Sequence, residues 1–104
     1  MRIHELKVAG VFFPSILDGS KRFEIRKNDR GYQVGDWLLL RELTEFLVFT
    51  GRWALVRVEF ILDDVRYGMQ DNHIIMSLAH YHQAGETDEG FDAYKPHILA
   101  VTQQ

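Results

Sequence analysis

The run from Arg52 to Leu62 alternates for eleven residues, and no other stretch restricts the fold so strongly. Ala54, Val56, Val58, Phe60 and Leu62 fall on one side of an extended chain, with Trp53, Leu55, Arg57, Glu59 and Ile61 on the other. Side chains two apart share a face of a strand, so one face here is wholly apolar. The second face is only half polar, which predicts that part of it packs on a helix or on the C-terminal segment.

Asp18 to Arg41 carries the next set of signals. Asp18-Gly19-Ser20 reads as a turn, and from Arg22 the residues alternate again, Phe23 and Ile25 opposite Arg22, Glu24 and Arg26. Lys27 to Gly31 and Val34-Gly35-Asp36 read as further turns before Trp37 to Leu40, an apolar run suited to a strand buried on both faces. The expectation is two strands joined as a hairpin by a polar, basic tip. Met1 to Lys7 suits a first strand, Val11 to Leu17 a short helix around Pro14, and His73 to Leu78 a closing strand. Phe12 and Phe13 read as core rather than as base-stacking platforms. Glu42 to Leu47 reads as a loop or strand end, and Phe49-Thr50-Gly51-Arg52 as a tight connection.

Charge is unevenly spread. Lys21, Arg22, Arg26, Lys27 and Arg30 fall within ten positions against only Glu24 and Asp29, a local balance of +3 in a chain whose total is -3. Residues 1–62 hold ten basic and eight acidic groups, whereas 63–104 hold two and seven. One surface can therefore attract a polyanion while another repels it. A cluster of this kind is often only a solvated strand edge. It is also the composition of an anion site, in which a carboxylate fixes a guanidinium fork that grips a phosphate or a base edge.

A chain of 104 residues with 46% apolar content suits one domain over 1–104 with a real core. Cysteine is absent, so there is no disulfide framework and no thiolate nucleophile or metal ligand. Neither a signal peptide nor a membrane span is evident, which predicts a cytoplasmic protein. Asp63-Asp64 reads as a solvated turn, and His80-x-His82 has no third ligand placed by spacing; His97 or Asp92 could complete a zinc site in principle, but no metal or cofactor is expected. His4, isolated in a strand, is more often a satisfied structural group than a catalyst. Gly85 to Tyr94 reads as a flexible acidic loop, followed by a strand or short element from Pro96 that folds onto the barrel, covers an edge or meets a protein partner.

Gly19-Ser20-Lys21-Arg22-Phe23-Glu24-Ile25-Arg26 resembles the G-x-K-x-x-E-x-R signature of the ASCH domains, a branch of the PUA-like superfamily. His4 to Lys7, Phe23 to Arg30, Val34-Gly35-Asp36, Leu40-Arg41-Glu42, Phe49 to Arg52 and Ile75 to Leu78 extend the likeness to a small bacterial and phage subfamily of unassigned function. The likeness covers residues 3–79 and leaves 80–104 as an atypical C-terminal extension. It implies an α+β, mainly β pseudo-barrel of about five or six strands with one or two short helices.

The resemblance implies a module that binds RNA or a modified nucleotide beside the signature. Lys21 would supply a point charge, Arg26 a two-pronged contact, and Glu24 would orient Arg26 or accept from a base amine. Arg22, Lys27 and Arg30 extend the basic surface, Tyr32 either offers an aromatic face for stacking or packs on the hairpin, and Arg41 is a candidate to face the same cleft. Some small ASCH proteins are amidohydrolases that deacylate a modified cytidine with a lysine, a threonine and a glutamate. The lysine matches Lys21, the threonine position falls on Glu24, and about ten residues between Leu62 and His73 leave little room for the helical insertion that carries the glutamate. A Lys21–Glu24 pair retains the elements of acid–base work on RNA or a nucleoside. A third possibility is capture of a host protein through the acidic C-terminal segment.

Overall fold

The computed structural model describes residues 2–63, 66 and 68–102, with the side chains of 95 and 97–102 outside that description. Its elements are β1 (Ile3–Ala9), α1 (Phe13–Leu17), β2 (Phe23–Lys27), β3 (Trp37–Leu43), β4 (Phe49–Leu62), β5 (His73–Leu78), β6 (Gln83–Gly85) and α2 (Asp88–Thr102). Among the described residues this is an α+β, mainly β fold with six strands and two helices.

The long alternating strand organises it. The first half of β4 pairs with β3, from Trp53↔Arg41 to Arg57↔Trp37, and with the short β6. Its second half pairs with β5 instead, from Val58↔Leu78 to Leu62↔Ile75, with a register shift between Val58 and Phe60. A bulge of this kind bends a strand and increases its twist, so one strand serves two differently oriented sheet portions. The hydrogen-bonded order is β1-β3-β4-β5-β2, with β6 beside β4, and β1 lies parallel to β3 while the other pairs are antiparallel. The sheet does not close into a barrel: β1 and β2 are its ends and share no ladder among the described residues.

Both faces of β4 are buried over Trp53 to Val56. The inner face, with Leu6, Val8, Leu38, Leu40, Val58 and Met76, forms one core, into which α1 inserts Phe13 and Ile16. The outer face forms a second cluster of Trp37, Leu39, Trp53, Leu55 and Phe91. That second cluster is the helix packing expected from the half-polar face. Trp53 stacks on Tyr94, meets Phe91 edge-on at 5.7 Å and donates to the Thr87 carbonyl at 3.3 Å. A Cβ on Gly85 would stand 2.6 Å from the Trp53 indole, so glycine is required where β6 crosses it.

Three expectations fail for physical reasons. β2 and β3 do not form a hairpin, because the connecting segment carries Tyr32 into the inner core and delivers β3 to β1, leaving β2 to pair with β5. The turn between β3 and β4 is at Thr44 to Val48, where the Val48 carbonyl accepts from Thr44 and Leu47 takes φ 62°; Phe49 to Arg52 already belongs to β4. The acidic Gly85 to Tyr94 stretch is no loop throughout: α2 starts at Asp88, with Thr87 Oγ1 accepting from the Gly90 N–H at 2.9 Å. Asp88 and Glu89 lie in its first turn, where negative charge suits the helix dipole. Asp64 and the side chain of His97 lie outside the described residues.

Asp36 pins the far end of this arrangement. It is 2% exposed and accepts from the Arg2 N–H at 3.1 Å, the Gln33 N–H at 3.0 Å and His4 Nε2 at 2.8 Å. Burial pushes its carboxyl up, but these hydrogen bonds outweigh burial and hold it below the usual range. An ionised carboxylate only accepts, so His4 Nε2 carries the proton and donates. His4 is thus the satisfied structural histidine, its ring 4.6 Å from that of Tyr32.

Asp36→Ala leaves one buried and two part-buried donors without their acceptor, and urea denaturation at pH 7 is expected to show a loss of roughly 3 kcal/mol. The sign with pH follows from the depressed carboxyl. Its contribution is complete above an unfolded-chain value of about 3.9 and fades as pH drops through the lower folded value. The variant is therefore expected to lose less stability than wild type between pH 7 and acid. Gly85→Ala must push Trp53 or β6 aside, and a melting curve is expected to report a loss of about 1–3 kcal/mol with the inner core intact.

Candidate functional site

The two free ends of the sheet face each other, and side chains rather than a ladder bridge them. Arg26 Nη2 donates to the Lys7 carbonyl at 2.6 Å and Arg30 Nη1 to the Glu5 carbonyl at 2.8 Å, both from the β2 side onto β1. Arg2 reaches the other way, its Nη2 2.6 Å from the carbonyls of both Arg30 and Gly31. Guanidinium groups are longer than a backbone hydrogen bond, so the seam stays open as a cleft. Its volume is about 350 Å3, and its lining includes Lys7, Ala9, Phe12, Lys21, Glu24 and Arg26.

The alternation read in β2 is present, but its charged face is the inner one. Phe23 and Ile25 are exposed, whereas Glu24 is 5% exposed. A carboxylate that deeply buried needs charged or hydrogen-bonding partners. Lys21 Nζ lies 3.2 Å from Glu24 Oε1 and Arg26 Nε 2.9 Å from Oε2. Lys21 also donates to the Phe23 carbonyl at 2.9 Å. The Asp18-Gly19-Ser20 turn that delivers Lys21 is closed by the Ser20 N–H donating to Asp18 Oδ1 at 2.7 Å.

Of the residues selected from sequence, Lys21, Glu24 and Arg26 come together on this cleft. Arg30 belongs to the bridge across the seam. Arg22 donates to the Gly19 carbonyl at 3.1 Å, and Lys27 is exposed at the end of β2; neither lines the cleft. Tyr32 is not a free stacking face: it is buried in the inner core against His4, and burial raises its hydroxyl above the ordinary range. Arg41 does not face the cleft either. It lies against the outer cluster, bridging Glu5 at 2.9 Å and Asp88 at 2.8 Å, with its guanidinium 3.8 Å from the centre of the Phe49 ring. Arg41 therefore ties α2 to β1.

Phe12, expected in the core, is half exposed, and only Phe13 enters the interior. The available signal was length. Helix α1 has five residues, too few to bury every aromatic of the Val11–Leu17 run on one face. Glu42, a third buried carboxylate beside Asp36 and Glu24, meets Thr50 Oγ1 at 2.7 Å and Arg52 Nε at 2.7 Å. The Arg52 bond chiefly holds the Glu42 carboxyl below its usual range, against burial, with Thr50 adding to the effect. Two sequence blocks with no role assigned to either thus form a pin between the end of β3 and the start of β4. No cluster of three metal-ligating side chains occurs among the described residues. Among the described residues, no helix is long and apolar enough to cross a membrane.

Comparison with known proteins identifies a relative of the same size class. A protein of Escherichia phage P2 described as "Uncharacterized 12.9 kDa protein in GpA 3'region" is 44% identical over 62 residues, which are 60% of this chain and 56% of that protein. The chain thus spans little more than half the length of the relative that it matches. Residues 3–78 match the family described as Domain of unknown function (DUF3850), a span that runs from β1 through β5 and includes the whole cleft lining. The chain belongs to that family.

Proposed function

We propose that this chain is an ASCH-like module of the PUA-like superfamily that binds RNA or a nucleotide in the seam between β1 and β2. The observation that carries the proposal is the buried Glu24 held between Lys21 and Arg26 on the floor of an open cleft. Two cations against one carboxylate leave a local excess of positive charge. The carboxylate holds the Arg26 fork in one orientation, which lowers the entropy lost when a phosphate or base edge binds. Arg26 Nη1 makes no hydrogen bond among the described residues and is free to donate. Lys27 and Arg22 stand near enough in sequence to add long-range attraction without touching the ligand.

The acidic surface elsewhere supports selectivity for one face. Asp88 is engaged by Arg41, while Glu86, Glu89 and Asp92 are exposed on and before α2. A polyanion is repelled there and attracted at the seam. Nucleic acid bound in this way competes with salt, so affinity falls as ionic strength rises.

Titration of short cellular RNA fractions at low and moderate salt tests the proposal. Arg26→Ala is expected to weaken binding by about ten-fold or more, the loss typical of a charged hydrogen-bonding group; it also costs stability, because the Lys7 carbonyl and one Glu24 oxygen lose their partner, but the domain stays folded with Glu24 still paired to Lys21. Arg41→Ala, on the outer face, is expected to leave affinity within about two-fold and to lower stability by about 1 kcal/mol. Equal RNA affinity for Arg26→Ala and wild type would remove this cleft as the site. No binding by wild type at low salt would remove the RNA reading altogether.

A further inference from the structure

The mouth of the seam has a second chemical character besides charge. Phe12, just before α1, is 50% exposed, and Phe23, at the start of β2, is 43% exposed. They are eleven positions apart in the chain yet line the same cleft, and both rings converge on one nitrogen. Lys21 Nζ lies 5.4 Å from the centre of the Phe12 ring and 4.8 Å from that of Phe23. Ile25, also exposed, extends the apolar rim along β2. A single exposed phenylalanine needs no explanation. Two that flank a cation at the entrance of a concave site make a surface suited to a planar, π-bearing group attached to an anion.

Size narrows the class. At about 350 Å3 the cleft is near the lower limit for ligand sites, room for one base with its sugar and phosphate. The Arg26 bridge to the Lys7 carbonyl limits how far its walls can part. A duplex keeps its base faces stacked inside the helix and offers only edges and backbone, so it cannot use the two phenyl faces. An unpaired base can.

We infer that the site takes one unstacked base of single-stranded RNA, with Phe12 and Phe23 as its stacking faces and Lys21 and Arg26 on the adjoining phosphate and base edge. This rests on the nucleic-acid reading of the cleft and adds the class of ligand. Lys21 gives two of its three donors to the Phe23 carbonyl and Glu24, which leaves one for a phosphate oxygen. Arg26 Nη1 makes no hydrogen bond among the described residues. Phe12 and Phe23 are then specificity-determining residues for single strands, and the basic residues set affinity for any phosphate backbone.

The test is fluorescence anisotropy with a labelled mixed-sequence RNA octamer, alone and annealed to its complement, against wild type, Phe12→Ala, Phe23→Ala, Phe12→Trp and Arg26→Ala. Each variant is checked for wild-type circular dichroism; the half-exposed positions make retention of the fold the expectation. Single strands are expected to bind at least ten-fold tighter than duplex, and either alanine variant to lose about ten-fold on single strands alone, the scale of one base–aromatic stack. Phe12→Trp, which keeps a π face, is expected to retain or improve single-strand binding. Equal affinity for the two RNA forms, with both alanine variants within two-fold of wild type and Arg26→Ala weaker on both, would overturn the stacking inference and leave the RNA reading standing. No binding of either form by wild type would remove both.

Discussion

The backbone carbonyls of Glu5 and Lys7 on β1 are satisfied by arginine side chains from the far edge of the sheet, and the shape of the molecule depends on that substitution. A sheet bent by a bulged central strand brings its two ends face to face, and edge groups left without partners are costly and prone to pair with other chains. A direct ladder between β1 and β2 would close the barrel and fill the seam. Guanidinium bridges satisfy the same acceptors at greater length, leaving a cleft whose floor is already polar.

The bridge has requirements of its own. Arg26 must be aimed, which places Glu24 inward, and a buried carboxylate needs a second cation, which Lys21 supplies from the preceding turn. Sheet closure, charge burial and ligand recognition are therefore carried by the same three side chains. The rest of the molecule keeps this region in place without entering it. Asp36 fixes the start of β3 against β1, Glu42 with Thr50 and Arg52 fixes the β3–β4 end, and Trp53 with α2 covers the outer face.

Periodicity revealed much of this architecture. The β4 alternation, the apolar β3 run, the short helix at Pro14 and the β5 strand were all legible, because each follows from local spacing. Strand pairing was not, since a basic loop between two strands suggests a hairpin unless its tyrosine is known to be a core residue. The direction of β2 was also hidden: alternation separates two faces but does not say which one turns inward, and here the charged one does. Glu24, Lys21 and Arg26 were recognisable as a cluster, whereas Arg41 and Tyr32 were misplaced because sequence adjacency says little about which side of a sheet a residue meets. The C-terminal helix was obscured by the glycines and acidic residues around its start. Thr87 followed by Asp88 and Glu89 is in fact a sound helix N-terminus.

Amide chemical-shift mapping with a short single-stranded RNA tests the central claim most directly, because it locates a ligand without presuming which side chain binds it. The account predicts saturable, salt-sensitive shifts concentrated at Lys7 to Ala9, Phe12 and Lys21 to Arg26, with α2 and the Thr44–Val48 turn unmoved. Shifts confined to α2 or to that turn, or none at millimolar RNA and low salt, would contradict the assignment of the open seam as the binding site.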